Sequence, residues 1–189
     1  MIIIEGADKS GKTTFATHLS ERIRLPVHTI KGAAGSKEEA IIRAKFALDN
    51  HDKFIFDGSP FINEAVYCVK RGENTYLEDQ HPLYDELEKI GVRLVYCRPP
   101  DDYLLNPKKL GCKDYDMPKY VGEVLAKQRV YIMMYDALMK ILPHIKYDFT
   151  LHTIEQFLGE LHADNALDNN NNKEPEPDTQ AVAGIKGGQ

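Results

Sequence analysis

The sequence has no tryptophan, only three cysteines among 189 residues, and no excess of basic charge. Cys68, Cys97 and Cys112 form no CxxC pair and are odd in number, which excludes a disulfide framework and a cysteine zinc site. The seven histidines are scattered without metal-ligand spacing. No apolar run approaches the roughly 18 residues that a membrane span needs. The opening residues carry no basic leader or cleavage pattern, so a cytoplasmic protein with no membrane partner is expected. The net charge of −5 argues against a general nucleic-acid surface, which must neutralise many phosphates at once. That charge is uneven. From residue 164 onward five acids (Asp164, Asp168, Glu174, Glu176, Asp178) face two bases (Lys173, Lys186), giving −3 and leaving −2 for the remainder.

What is present is a regular alternation of short β-branched runs and amphipathic stretches. Ile2–Ile4, Val27–Ile30, Lys53–Asp57, Val92–Cys97 and Ile145–Thr150 read as strands. Helical spacing follows over Lys12–Arg24, from a capping box at Ser36 and Glu39, over about 62–70, over Pro82–Ile90, and over the long stretch Pro118–Leu142. A last helix is expected over 154–161. Strand and helix alternating at short connections imply an α/β three-layer sandwich, with a five-stranded parallel sheet covered on both faces. Residues 105–117 (LNPKKLGCKDYDM) are polar, basic and rich in turn formers, the pattern of a lid loop. The domain is expected to span 1–162. Residues 163–189 lack aromatics and most large apolar side chains, which predicts a disordered polar tail.

The chemistry concentrates at Gly6-Ala7-Asp8-Lys9-Ser10-Gly11-Lys12-Thr13, which fits G-x-x-x-x-G-K-[ST] between a strand and a helix. Such a loop turns successive N–H groups onto phosphate oxygens, helped by the partial positive charge of the helix start. Lys12 is placed for the β/γ-phosphates of ATP, Thr13 for Mg²⁺, and Thr14 for the α-phosphate. Asp57, at the end of an apolar strand, is the expected acid of the Mg²⁺ site. Its other reading is a turn-forming Asp before Gly58. These residues predict a P-loop NTPase fold and a phosphotransferase using ATP and Mg²⁺.

Residues 2–14, I-I-I-E-G-A-D-K-S-G-K-T-T, resemble the opening of thymidylate kinases, I-x-x-E-G-x-D-G-x-G-K-T-T. Residues 54–67, F-I-F-D-G-S-P-F-I-N-E-A-V-Y, resemble the strand and helix that carry the acceptor site in that family. V-Y-C-R-P-P at 95–100 is similar to the strand that precedes its lid. Together the resemblance covers about residues 1–162, and it implies an acceptor site drawing on Asp8, Phe61, Tyr67 and Gln128. Gln128 is either that contact or a satisfied buried amide on the long helix. The arginine that follows Asp57 in the family is replaced by Gly58, with Arg71 as a stand-in or a solvated helix end. The resemblance further implies Arg98 near the adenine or phosphates. It also implies lid cations among Lys108, Lys109 and Lys113, with Lys109 catalytic, and Arg129 as a further candidate.

The leading expectation is a deoxynucleoside monophosphate kinase of bacteriophage style acting on a small-molecule nucleotide in the host cytoplasm. An alternative is a kinase of a hydroxyl, on a nucleoside or on hydroxymethyluracil in DNA, with Asp57 or Glu64 as the carboxylate that helps it. A non-enzymatic NTP-binding regulator is the third reading. Thymidylate kinases are commonly dimers, so the resemblance admits a homodimer.

Overall fold

Ile2–Glu5 form β1, the central strand of a five-stranded sheet, in a computed structural model that describes residues 1–68, 75–113 and 116–159. Arg71 and the tail 163–189 lie outside the described residues. The chain divides into two units, Met1–Ile154 and Glu155–Gln189. Residues 154–159 are helical, and the whole sheet belongs to the first unit.

The other strands are β2 (Val27–Thr29), β3 (Ile55–Asp57), β4 (Arg93–Cys97) and β5 (Ile145–Tyr147). All pair in parallel, in the order β2-β3-β1-β4-β5. The register sets Ile3 against Phe56 and Leu94, and all three point into one core with Tyr131, Ile132 and Tyr135. The alternate residue Ile4 is fully buried on the opposite pleat. Both faces are therefore apolar, as a parallel sheet in an α/β sandwich requires.

The helices are α1 (Lys12–Ile23), α2 (Lys37–Asp49), α3 (Pro60–Tyr67), α4 (His81–Ile90), α5 (Asp101–Leu104) and α6 (Pro118–Met139). Phe15 of α1 meets Tyr147 of β5 at 4.6 Å between ring centroids. A second cluster joins α2, α3 and α4 through Ala40, Ala44, Leu48, Phe61 and Leu83. No helix among the described residues is long and apolar enough to cross a membrane.

Element types match the sequence reading except at α5, and the other differences lie at ends. Helix α3 starts at Pro60 because Ser59 caps it and proline suits the first turn. Strand β5 stops at Tyr147, where Asp148 turns back to accept the backbone N–H of Thr150 at 2.9 Å. At the start of α2, Ser36 accepts the N–H of Glu39 as expected. Glu39, however, reaches one residue further back, to the N–H of Gly35 at 2.7 Å. The sequence reading missed α5.

Candidate active site: a phosphate cradle opening into an aromatic cavity

Because β1 has β3 on one side and β4 on the other, the strand order reverses beside it, and a crevice opens at the strands' carboxyl ends. The chain leaves β1 into that crevice through Gly6, at φ 147°. A Cβ at this position would stand 2.4 Å from the carbonyl oxygen of Cys97, so only glycine fits. Lys9 and Gly11 also take left-handed angles, 64° and 89°, which curl the loop into a cradle before α1 begins at Lys12.

Lys12 Nζ folds back onto the carbonyl oxygens of Gly6 (2.6 Å) and Ala7 (2.9 Å). Ser10 Oγ is buried with no hydrogen-bond partner among the described residues. An orphaned hydroxyl and a lysine resting on weak acceptors are what a loop built for an external phosphate presents. Thr13 Oγ1 donates to Asp57 Oδ2 at 2.7 Å, bringing a hydroxyl and a carboxylate together across 44 residues. Hard oxygen donors of this kind fit Mg²⁺, which takes a few protein oxygens and keeps water for the rest.

The cradle forms one end of a cavity of about 820 Å³. Its other end is lined by Asn63 and Tyr67 of α3, by Val124, Gln128, Tyr131 and Tyr135 of α6, and by the Thr29–Gly32 segment after β2. The rings of Tyr67 and Tyr131 meet edge to face at 4.7 Å. Five lysines (Lys9, Lys12, Lys31, Lys109, Lys127) line it against two acids (Asp8, Asp57), an excess of +3 in a chain of net −5. The cavity is therefore a local positive well for an anionic ligand.

Glu5 sits between the two ends, fully buried at the end of β1. One carboxylate oxygen accepts the N–H of Ser59, and the other faces the Tyr135 hydroxyl at 3.2 Å. Burial raises its pKa to about 7, although Lys12 and these hydrogen bonds pull the other way. Burial likewise raises the Tyr67 hydroxyl, so that group stays protonated.

Most of the expected site residues are thus brought together. Asp8, Lys9, Ser10, Gly11, Lys12, Thr13, Thr14, Asp57, Tyr67, Lys109 and Gln128 all line the cavity. Lys109 stands 5.1 Å over the ring of Tyr103. Gln128 donates its Nε2 to the carbonyl of Asp8 at 2.8 Å, so its amide ties α6 to the phosphate loop. Residues 105–113 of the expected lid are a string of turns, closed by Leu110 N to Asn106 O (3.2 Å) and Cys112 N to Pro107 O (2.9 Å). Lys108 and Lys113 line a separate depression beside Asp102 and Val121.

Two expected contacts fall elsewhere. Phe61, expected at the acceptor, packs into the α2–α3–α4 cluster, 5.3 Å from the Tyr84 ring, because α3 turns that face away from the cavity. Arg98, expected near the adenine or phosphates, is held by Asp136 (2.9 and 3.0 Å) and Asp101 (2.6 Å), with Tyr96 also donating to Asp136. Two carboxylates hold that guanidinium, and it lines a different depression. Arg129 is exposed on α6. The sequence reading missed Lys31, Lys127, Asn63, Tyr131 and Tyr135. The run Val124, Gln128, Tyr131, Tyr135 is a helical stripe that could have flagged the two tyrosines, but a stripe facing core looks the same.

No protein-family model matches the chain, and no curated protein matches its sequence. Solved structures do share its architecture. The YorR protein of Bacillus subtilis, in complex with phosphorylated GDP, aligns with TM-score 0.65 and 19% identity over 89% of this chain and 97% of that one. Deoxyadenosine kinase from M. mycoides aligns with TM-score 0.50 and 16% identity. The form with dCMP and a flexible dCDP covers 86% of this chain and 98% of that one, and the form with dATP 87% and 98%. The fold is the α/β fold shared by these structures, a five-stranded parallel sheet with helices on its faces.

Proposed function

We propose that the chain is an ATP- and Mg²⁺-dependent phosphotransferase whose acceptor is a nucleotide, foremost a deoxynucleoside monophosphate converted to its diphosphate. The observation that carries this reading is one cavity of about 820 Å³ lined both by the Lys12–Thr13–Asp57 set and by the rings of Tyr67, Tyr131 and Tyr135. The nucleotides named with the solved structures of the same fold, dCMP, dCDP, dATP and phosphorylated GDP, support a nucleotide ligand.

In this mechanism the loop N–H groups and Ser10 hold the donor's phosphates, and Lys12 exchanges the Gly6 and Ala7 carbonyls for phosphate oxygens. Thr13 and Asp57 would hold Mg²⁺, which when bound neutralises charge on the β- and γ-phosphates. Tyr67 and Tyr131 orient the acceptor so that its oxygen attacks in line, the bond from the γ-phosphorus to the bridging oxygen breaks, and ADP leaves. Lys109 approaches from the lid segment as the transferring charge spreads. Little proton chemistry is needed, because a phosphate acceptor is already ionised.

Gly58 favours a second reading, phosphorylation of a hydroxyl on a nucleoside or on hydroxymethyluracil in DNA, since it leaves the acceptor without the family's arginine. ADP release from Mg·ATP separates the two. The panel is the deoxynucleoside monophosphates, hydroxymethyl-dUMP, the nucleosides, and DNA with or without hydroxymethyluracil. Turnover on a monophosphate is expected. Turnover confined to nucleosides or modified DNA replaces it with the second reading, and tight ATP binding without any turnover removes catalysis altogether.

A further inference from the structure

Position 58 cannot carry a side chain in this backbone. Gly58 has φ 89°, and a Cβ there would lie 2.5 Å from the carbonyl oxygen of Ile30 and 2.9 Å from Nδ2 of Asn63. Asn63 occupies the space instead, donating to that same Ile30 carbonyl at 2.8 Å. The turn after β3 is therefore locked against the end of β2, and any cation for this wall must come from a neighbouring strand end.

The next residue after Ile30 supplies one. Lys31 lines the cavity beside Gly58 and Asn63. Its backbone is braced by α2: Arg43 directs one guanidinium nitrogen at the carbonyls of Lys31 (3.4 Å) and Gly32 (3.3 Å). The other guanidinium nitrogen of Arg43 is paired with Glu39, whose second oxygen takes the N–H of Gly35. One Arg–Glu pair thus fixes both ends of the 31–35 loop. An exposed solvating lysine needs no such bracing. A lysine that must meet a ligand at a set place does, because the loop's ordering is then complete before binding.

Resting on the phosphotransferase reading, we propose that Lys31 is the acceptor-anion contact of this site. It holds the phosphate of a nucleoside monophosphate from the end of β2, on the side where Gly58 leaves no room for an arginine. The assignment selects a phosphorylated acceptor over a neutral nucleoside. It also divides the work among the lysines, since Lys12 and Lys109 serve the transferring phosphoryl group and Lys31 serves the acceptor.

The test compares the wild type with Lys31→Ala and Lys31→Arg on dTMP, dUMP, dCMP, dAMP, dGMP and the matching nucleosides, with Mg·ATP. Losing a charge-assisted contact is expected to raise the monophosphate KM by about 10- to 100-fold. The KM for ATP should stay within about twofold, since that substrate is bound elsewhere. Lys31→Arg should restore most of the loss, which a merely structural role would not predict. If a monophosphate is turned over and Lys31→Ala leaves its KM unchanged, the Lys31 assignment falls and the kinase reading stands. A wild type that prefers nucleosides also overturns it. If the wild type forms no ADP with any acceptor, the kinase reading falls, and calorimetric binding of the same compounds decides on Lys31. Monophosphate binding weakened about tenfold by Lys31→Ala, with nucleoside binding unmoved, supports the contact. Equal binding of both classes, or of neither, overturns it.

Discussion

In the proposed site, the phosphate end of the cavity is lined mainly by one unbroken stretch, residues 8–14, with Asp57 beside it. The acceptor end is assembled from the end of β2, the turn at Gly58, helix α3 and helix α6. On the proposed reading the first end meets its ligand chiefly through backbone, so the requirement on sequence is for glycines at set positions and a lysine and a threonine after them. At the second it is met by side chains whose neighbours are decided by packing. The two ends can therefore change independently: the cradle is intolerant of local substitution, whereas the acceptor wall can be rebuilt from a different set of residues on the same fold.

The largest test of that division is Lys12→Ala. It should lower kcat by about 10³-fold, the scale of losing one preorganised charge partner, with acceptor binding by calorimetry unchanged. An equal loss of acceptor binding would break the comparison, because it would mean that the ends act as one. Glu5 is the next test, since it touches both. Its pKa in the folded protein is raised from 4.5 to about 7, so the folded state holds its proton more tightly than the unfolded state does. Stability should accordingly fall as pH rises from about 4.5 to about 7 and level off above, by on the order of 3 kcal/mol. Denaturant midpoints across that range should show the slope in the wild type and lose it in Glu5→Gln; parallel slopes would refute the assignment. The smallest effect is expected from Gln128→Leu, which removes one tie between α6 and the loop. Stability should drop by about 1 kcal/mol and the KM values of both substrates should rise modestly. A rise confined to the acceptor would make Gln128 a base contact instead.

The same contrast explains how much of the molecule was legible in the sequence. The cradle and the Ser36 cap are written in adjacent residues, and the parallel sheet follows from apolar runs at short spacing. The position of Asp57 at the end of β3, beside Thr13, was legible because a strand end after three apolar residues is a fixed place in such a sheet. Phe61 and Arg98 were misplaced because sequence spacing does not say which way a short helix turns its face, nor that Asp136, 38 residues on, will meet the guanidinium. Lys31 carried no local signal at all. It is one exposed lysine after a strand, and only the crowding at Gly58 gives it significance.

That crowding has a historical side. With Ile30's carbonyl and Asn63's amide filling the space, no single exchange at position 58 can install a longer residue without first moving the end of β2 and the Asn63 side chain on α3. If the proposed acceptor site holds, changes in what it prefers must therefore begin at Asn63 or along the 29–32 segment. The glycine works as a ratchet on the protein's further evolution, closing the shortest route to a longer residue there and leaving its neighbours free to vary.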